Sequence, residues 1–334
     1  MHKKGDGQLT KHQFKENFSV NENSLAIVKE MMARSRELGL MVRKLANGTT
    51  LIDAGVEAPG GLRAGLMVAK AALGGLAEVE VAPVPYADDL VLPTVKVSTD
   101  FPVISLLVCQ QPLPTIEVGE YSAITSGPGK ALMRKPEEFF EISGYSEIAR
   151  FAVFVMQSDD LPDEKVSSYI AKKCRITPSD LFLIVAPTNS MAGAVQVPAR
   201  ILENPLWRLS FLGFDVNKVR CAVGSAPMTP VYPNIWKSPS ITADDMILYG
   251  GRSIFFAEAG EGDDLSSLVK ELVTENSPFF GKSFFEILAE AGGRFKNIDR
   301  RKYTCAQATI YDLSNGKIYS AGKIHLDMIR KLSR

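Results

Sequence analysis

Histidine is nearly missing from this 334-residue chain, which has only His2, His12 and His325. A Ser-His-Asp triad or a His-rich metal site would have to rest on His325, because the other two stand in a polar N-terminal stretch. His325 has no partner near it in sequence and reads as a surface or helix-start residue. Acid–base chemistry therefore falls to a carboxylate, a lysine, a tyrosine or water. Cysteine is sparse as well. Cys109, Cys174, Cys221 and Cys305 lie far apart and make no C-x-x-C, which argues against a disulfide framework or a Cys-rich zinc site and for reduced, mostly buried thiols. Net charge is absent, with 38 Lys and Arg against 38 Asp and Glu. A nucleic-acid binder would show a basic surplus. No apolar run reaches the ~18 residues that a membrane span needs. The basic start, MHKKGDGQLTKHQF, has no apolar segment behind it and is not a secretory signal. Together these absences point to the cytoplasm, with no call for a metal, a nucleic acid or a membrane.

What is present is ordinary in composition, 46% hydrophobic and 23% charged, and long enough to favour two domains. Residues 1–18 are polar and predict a loosely attached or disordered tail. Apolar residues at helical spacing over 21–38, stopped by Gly39, predict an amphipathic helix. Asn47-Gly48 between 40–46 and 49–54 is a strong hairpin signal. A small-residue helix follows over 62–73, in which Gly61 and Gly65 would let another backbone come close. Strands are predicted at 77–81, 90–98, 115–118, 121–125, 151–156, 181–186, 218–223 and 253–257. Helices are predicted at 102–110, 135–142, 163–173, 265–273 and 284–291. A second hairpin, 308–313 with 317–321, turns at Ser314-Asn315-Gly316. Hairpins mixed with helices give an α+β class rather than a regular parallel α/β sheet. The division drawn is a first α+β domain over 19–165 and a second over 166–334, with room for segments to interleave.

The segment APTNSMAGAVQVPARILENPLW, 186–207, sets one Arg/Glu pair in an apolar context. Charges there are costly to bury unless paired or used. Pro198 and Pro205 bracket the pair and predict a short helix over 198–204, about two turns at 3.6 residues per turn. Arg200 and Glu203 would then share one face, beside the turn Thr188-Asn189-Ser190. Spacing alone leaves a solvated surface pair open, and a strand here would send the two side chains to opposite faces.

Other motifs carry two readings each. Ser126-Gly127-Pro128-Gly129-Lys130 is not a phosphate-binding P-loop, because Ile124 and Ala131 stand where a glycine and a Ser or Thr are required. It is either a tight turn with a surface lysine or a turn that offers N–H groups to an anion. Thr99-Asp100 caps the following helix or hydrogen-bonds a ligand edge. Asp53 and Glu57 flank Gly55 and either do similar work or, the preferred reading, are solvated charges at a hairpin end.

From Ser19 onward the chain resembles the methenyltetrahydromethanopterin cyclohydrolase family. The blocks that carry the resemblance are SVNENSLAIVKEM (19–31), NGTTLIDAGVEAPGGLRAGL (47–66), LGGLAEVEV (73–81), LPTVKVSTDFPVIS (92–105), SGPGKAL (126–132), LIVAPTNSMAGAVQVPARILE (183–203), GSAPMTPV (224–231), ILYGG (247–251) and DLSNGKIYSAG (312–322). They keep the family's order and approximate spacing. The resemblance implies two α+β domains with a substrate cleft between them, a homotrimer, and the reversible hydrolysis of 5,10-methenyl- to 5-formyl-tetrahydromethanopterin in one-carbon metabolism. The carrier is the substrate and no cofactor is implied. Arg200 and Glu203 take the family's catalytic R-x-x-E positions. Thr99, Asp100, Ser126, Gly127, Gly129, Lys130, Thr188 and Ser190 are candidates for binding the pterin or its phosphate-bearing tail. Three blocks depart. SGPGK stands for a usual SGPAR, Gln111 lacks the positive charge of a QKAGW-like block, and Thr304-Cys305-Ala306 replaces an APA-like segment; the last two are expected to line the pocket. A cyclohydrolase for a dephospho carrier and a non-catalytic pterin-binding paralogue are the alternatives.

Overall fold

Asn47-Gly48 turns the chain back on itself, so that β1 (Met41–Lys44) pairs antiparallel with β2 (Thr50–Asp53). The computed structural model describes residues 18–113, 115–231 and 242–332. Within them follow β3 (Glu78–Ala87), β4 (Leu90–Thr99), β5 (Ile116–Val118), β6 (Tyr121–Ser126), β7 (Ala152–Gln157) and β8 (Leu181–Val185). The last four strands are β9 (Val219–Pro227), β10 (Arg252–Ala257), β11 (Gln307–Asp312) and β12 (Ile318–Gly322). They form two mixed six-stranded sheets, ordered β1-β2-β8-β7-β6-β5 and β12-β11-β10-β9-β4-β3. With helices packed on them, this is an α+β architecture.

The runs AVFVMQ and LFLIV explain the centre of the first sheet. A strand buried on both faces has no polar alternation. β7 and β8 pair parallel there, with Val153 beside Phe182 and Val155 beside Ile184. On one face Ile52, Val153, Val155 and Ile184 pack with Val68 and Ala72 of the helix Leu62–Ala72. On the other face Leu51, Phe154, Met156 and Leu183 pack with Ile170 of the helix Glu164–Cys174. In the second sheet, Val95, Val97, Ala222 and Phe255 share a core with Leu106 and Leu107 of the helix Val103–Gln110 and with Ile201, Leu202 and Leu206. Neither sheet keeps to one side of residue 165. The first takes β8 from beyond it, and the second takes β3 and β4 from before it.

Several expectations need correction. The tail expected over 1–18 lies outside the described residues except at Phe18, whose ring packs on Phe101 and Tyr145 at 5.1 and 6.3 Å between centroids. His2 and His12 fall outside as well. His325 precedes the helix Leu326–Leu332, as expected, but it is buried against Tyr249 and Phe280 rather than at the surface. Pro205 does not end a helix. Chain in right-handed helical geometry runs from Met191–Gln196 through Pro198–Arg200 to Glu203–Phe211. Pro205 sits in the first turn of the last piece, where a missing N–H is harmless. Gly65 meets its neighbour closely, since a Cβ there would come within 2.7 Å of the Val195 side chain and 3.0 Å of the Ala192 backbone. Gly61 has no such neighbour, its nearest atom being the Leu38 carbonyl at 3.8 Å.

Asp53 is the largest departure from expectation. It is buried rather than solvated, and its carboxylate accepts the N–H groups of Gly55, Val56, Glu57 and Ala58 at 2.9, 2.7, 2.8 and 2.8 Å. Glu57 does remain exposed, paired with Arg43. The Asp53 loop packs against Ser190, which a Cβ on Gly55 would strike at 2.5 Å. Asp53→Ala is expected to lower unfolding free energy by about 3 kcal/mol or more, because charge-assisted bonds are lost and the amides are left unsatisfied. Urea denaturation measures it, and Asp53→Asn should fall between that variant and the parent.

Candidate active site

Three segments distant in sequence meet at one guanidinium. Ser190 begins the segment that carries it, its hydroxyl accepting from Gly193 N at 3.0 Å as a helix N-cap. Arg200 follows three turns later, buried, and three of its five N–H groups are engaged. Nη1 donates to the Gln110 carbonyl at 2.8 Å and to Glu203 Oε2 at 2.7 Å. Nη2 donates to the Ser126 hydroxyl at 3.0 Å. Gln110 ends the helix Val103–Gln110, and Ser126 ends β6. The pair is thus neither solvated nor split across a strand. The side chains of Arg200 and Glu203 are 10% and 3% exposed, and both still line a cavity of about 600 Å³.

Burial pushes the Glu203 carboxyl above its ordinary value, and Arg200, Lys130 and Lys302 only partly oppose this. Desolvation therefore outweighs the attached guanidinium. A carboxylate so tuned is a better proton acceptor than a free one. Burial first, then Glu203 and Asp244, pushes the Tyr303 phenol well up, so it stays protonated.

The cavity gathers some of the candidates and leaves others out. Thr188 lines it, with its hydroxyl held by Gln157, a neighbour in the same wall. Gln111 lines it too. Ser126 reaches it through Arg200. Ser190 spends its hydroxyl on Pro187 O and Gly193 N as a cap. Thr99 is buried under Leu76, donating to its carbonyl at 2.8 Å and accepting from Phe101 N at 3.0 Å. Asp100 borders a different, shallower hollow with Phe101 and Arg220. The turn at 126–130 faces inward rather than toward an anion. Gly127 N goes to Cys109 O, Gly129 N to Val153 O and Lys130 N to Gly127 O. Gly129 packs so tightly that a Cβ would land on the Phe154 ring. Lys130 is fully buried, not a surface lysine, with its ammonium on the carbonyls of Leu107 and Gln111. Thr304, Cys305 and Ala306 are core residues and do not face the cavity. Thr304 bonds Thr274, and Cys305 contacts Ser253.

Sequence reasoning missed another part of the cavity lining. Lys302 is buried and paired with Asp244, and its Nζ stands 5.0, 5.8 and 5.5 Å from the ring centroids of Phe284, Phe295 and Tyr303. All five residues line the cavity. Nothing local links Asp244 with Lys302. The only nearby signal is the capping box Thr242–Asp245, which marks the start of the helix Ala243–Gly250. Among the described residues no group of three or more His, Cys, Asp or Glu stands where it could hold a metal ion.

The sequence model of the family described as Cyclohydrolase (MCH) matches residues 19–332. The chain is 39% identical over 315 residues to methenyltetrahydromethanopterin cyclohydrolase of Methanothermobacter marburgensis, a match covering 94% of this chain and 98% of the relative. The chain belongs to the methenyltetrahydromethanopterin cyclohydrolase family. The enzymes of the same name from Methanococcus maripaludis and Methanocaldococcus jannaschii are 41% and 38% identical, each match covering 94% of this chain and 97% of the relative. A cyclohydrolase of this family thus presents a buried, paired Arg–Glu couple at the wall of a cavity, on helical chain continuous with the SMAGAVQVPAR block. Among the described residues no helix is long and apolar enough to cross a membrane.

Removing one member of this pair leaves the other buried and unmatched. Arg200→Met should cost about 3–5 kcal/mol of stability, while Arg200→Met combined with Glu203→Met should cost distinctly less. A double-mutant cycle by chemical denaturation measures the difference.

Proposed function

We propose that this chain interconverts 5,10-methenyl- and 5-formyl-tetrahydromethanopterin by adding water to the methenyl carbon and reversing that addition. The observation that carries the reading is the Arg200–Glu203 pair, bonded at 2.7 Å and set in the wall of a cavity of about 600 Å³. Membership in the cyclohydrolase family supports it.

The substrate carbon lies in an N–C–N cation and is already electrophilic. The oxidation level does not change, so the reaction calls for no redox cofactor. Water oxygen bonds to the carbon as Glu203 accepts one of its protons. The C–N10 bond then breaks, N10 takes that proton from Glu203, and the adduct hydroxyl gives its own proton to Glu203 as the formyl C=O forms. One proton leaves to solvent overall. A positioned base of this kind contributes about 10²–10⁴-fold. Arg200 orients the carboxylate through Nη1. One Nη2 hydrogen and the Nε–H have no partner among the described residues, and they are the donors for charge that develops on the attacking oxygen. Thr188 and Gln111 border the space where the pterin lies.

Two further parts of this reading rest on resemblance and composition. They are assembly as a homotrimer and a place in the cytoplasm, the latter in keeping with four free cysteines, three of them buried.

The test is spectrophotometric, since the methenyl cation absorbs and its hydrolysis product does not. Glu203→Gln should keep the fold and lose about 10²–10⁴ in turnover. In the unaltered enzyme the acid limb of kcat/KM should fall above the ordinary carboxylate range, because the Glu203 pKa is raised and only its ionised form accepts the proton. Binding of the methenyl carrier without turnover by the unaltered protein would instead make it a pterin-binding paralogue.

A further inference from the structure

The helix Val103–Gln110 is wound with i→i+5 bonds, and its last one runs from Gln111 N to Leu106 O at 2.7 Å. The next bond in that ladder would join residue 112 to Leu107 O, but residue 112 is proline and has no N–H. Leu113 N is directed away, to Thr125 O at 2.8 Å. The carbonyls at this buried helix end must therefore find donors elsewhere. Gly127 N takes Cys109 O at 2.8 Å, and Arg200 Nη1 takes Gln110 O at 2.8 Å. Lys130 Nζ takes Leu107 O at 3.4 Å and also Gln111 O. The ring of Phe139 lies 5.9 Å from the same ammonium. Two cations thus close one helix C-terminus, where positive charge is favourable.

We propose that Lys130 is a positioning residue for the reaction: by capping Leu107 and Gln111 it fixes the Gln110 carbonyl between them, and through it the placement of Arg200 and Glu203. This rests on the role given above to that pair. Without the ammonium, two buried carbonyls lose the side-chain donor they have among the described residues, and the helix end is free to rewind toward i→i+4 bonding. Gln110 O then moves, and a displacement near 1 Å at a reacting group costs about 10²-fold.

The charged and titratable groups around Lys130 are Cys109 on the capped helix and Arg200 and Glu203 on the helical chain opposite. Burial, aided by Arg200, brings the Lys130 amine down to about 7, against the pull of Cys109 and Glu203. As pH rises through that value, charge-assisted bonds to the two carbonyls become neutral and weaker. An effect through positioning should then appear in kcat as a decline above neutrality.

The experiment compares Lys130→Met, Lys130→Arg and Glu203→Gln, with folding followed by circular dichroism and turnover by loss of methenyl absorbance. Lys130→Met should lose about 10² in kcat with KM changed by less than about threefold. Lys130→Arg should restore most of kcat and abolish the decline above neutrality, because arginine stays charged. Folded Lys130→Met with full kcat overturns the proposal, as does folded Lys130→Arg that keeps the decline. If the methionine variant does not fold, the arginine pH profile decides alone. Glu203→Gln separates the two claims. Its near-full activity sinks the assignment of the pair and this proposal with it, whereas its inactivity beside a fully active Lys130→Met sinks only the role of Lys130.

Discussion

The contact between Arg200 and Glu203 constrains everything around it. Neither charge sits in water, so each depends on the other and on the polar groups within reach. A carboxylate alone at this depth would take up a proton, and a guanidinium alone would leave several donors orphaned. Together, with Gln110 O and Ser126 Oγ, they hold four polar groups in one bonded cluster. Such a cluster is a poor way to gain stability, because apolar residues of the same volume do as well or better. What the pair supplies that leucines would not is a fixed proton acceptor beside a fixed donor, facing a cavity.

The route of the chain explains how those groups converge. β4 belongs to the second sheet and leads into the helix Val103–Gln110. That helix delivers Gln110, and the chain then enters β5 and β6 of the first sheet, whose end is Ser126. Arg200 arrives from the first sheet by way of β8 and the helical segment that starts at Ser190. Each partner of the guanidinium thus comes from a different element, Ser126 from a strand of the first sheet and Gln110 from a helix packed in the core of the second. The relation between sheets and the geometry of the pair are therefore one constraint. The Asp53 loop belongs to the same arrangement, because it seats Gly55 against Ser190 at the beginning of the helical run.

Residues close in sequence were the ones whose proximity in space could be read there. Arg200 and Glu203 are one turn apart, and the hairpins at Asn47-Gly48 and Ser314-Gly316 are local by nature. The proline signal at Pro205 misled because position decides its effect, and a first-turn proline costs a helix nothing. The glycines of 126–130 suggested an anion turn, yet composition does not say which way an N–H points. Here Gly127 and Gly129 point at Cys109 and Val153. Asp53 looked like a solvated charge because four consecutive amides folding onto one carboxylate leave no mark in residue type. The Asp244–Lys302 wall, spanning 58 positions, and the mingling of both halves of the chain in each sheet depend on long-range pairing that no window of sequence contains.

One conflict visible from residue types alone was the state of Glu203, since a guanidinium contact lowers a carboxyl pKa and burial raises it. Burial wins, and this suits a reaction whose substrate is a cation and whose carbon product is not. A positive heterocycle in the cavity would favour the ionised carboxylate, so in the proposed reaction the base would be most available when there is something to hydrolyse. Once the formyl product forms, that positive charge is gone and the carboxyl holds its proton more firmly. In the reverse direction the same shift presents a protonated Glu203 to the neutral formyl compound, which needs an acid to lose water. A freely solvated glutamate, ionised in both states, would serve only the first of these steps. A buried one, bonded to an arginine that lines the same cavity, would serve both in the proposed reaction.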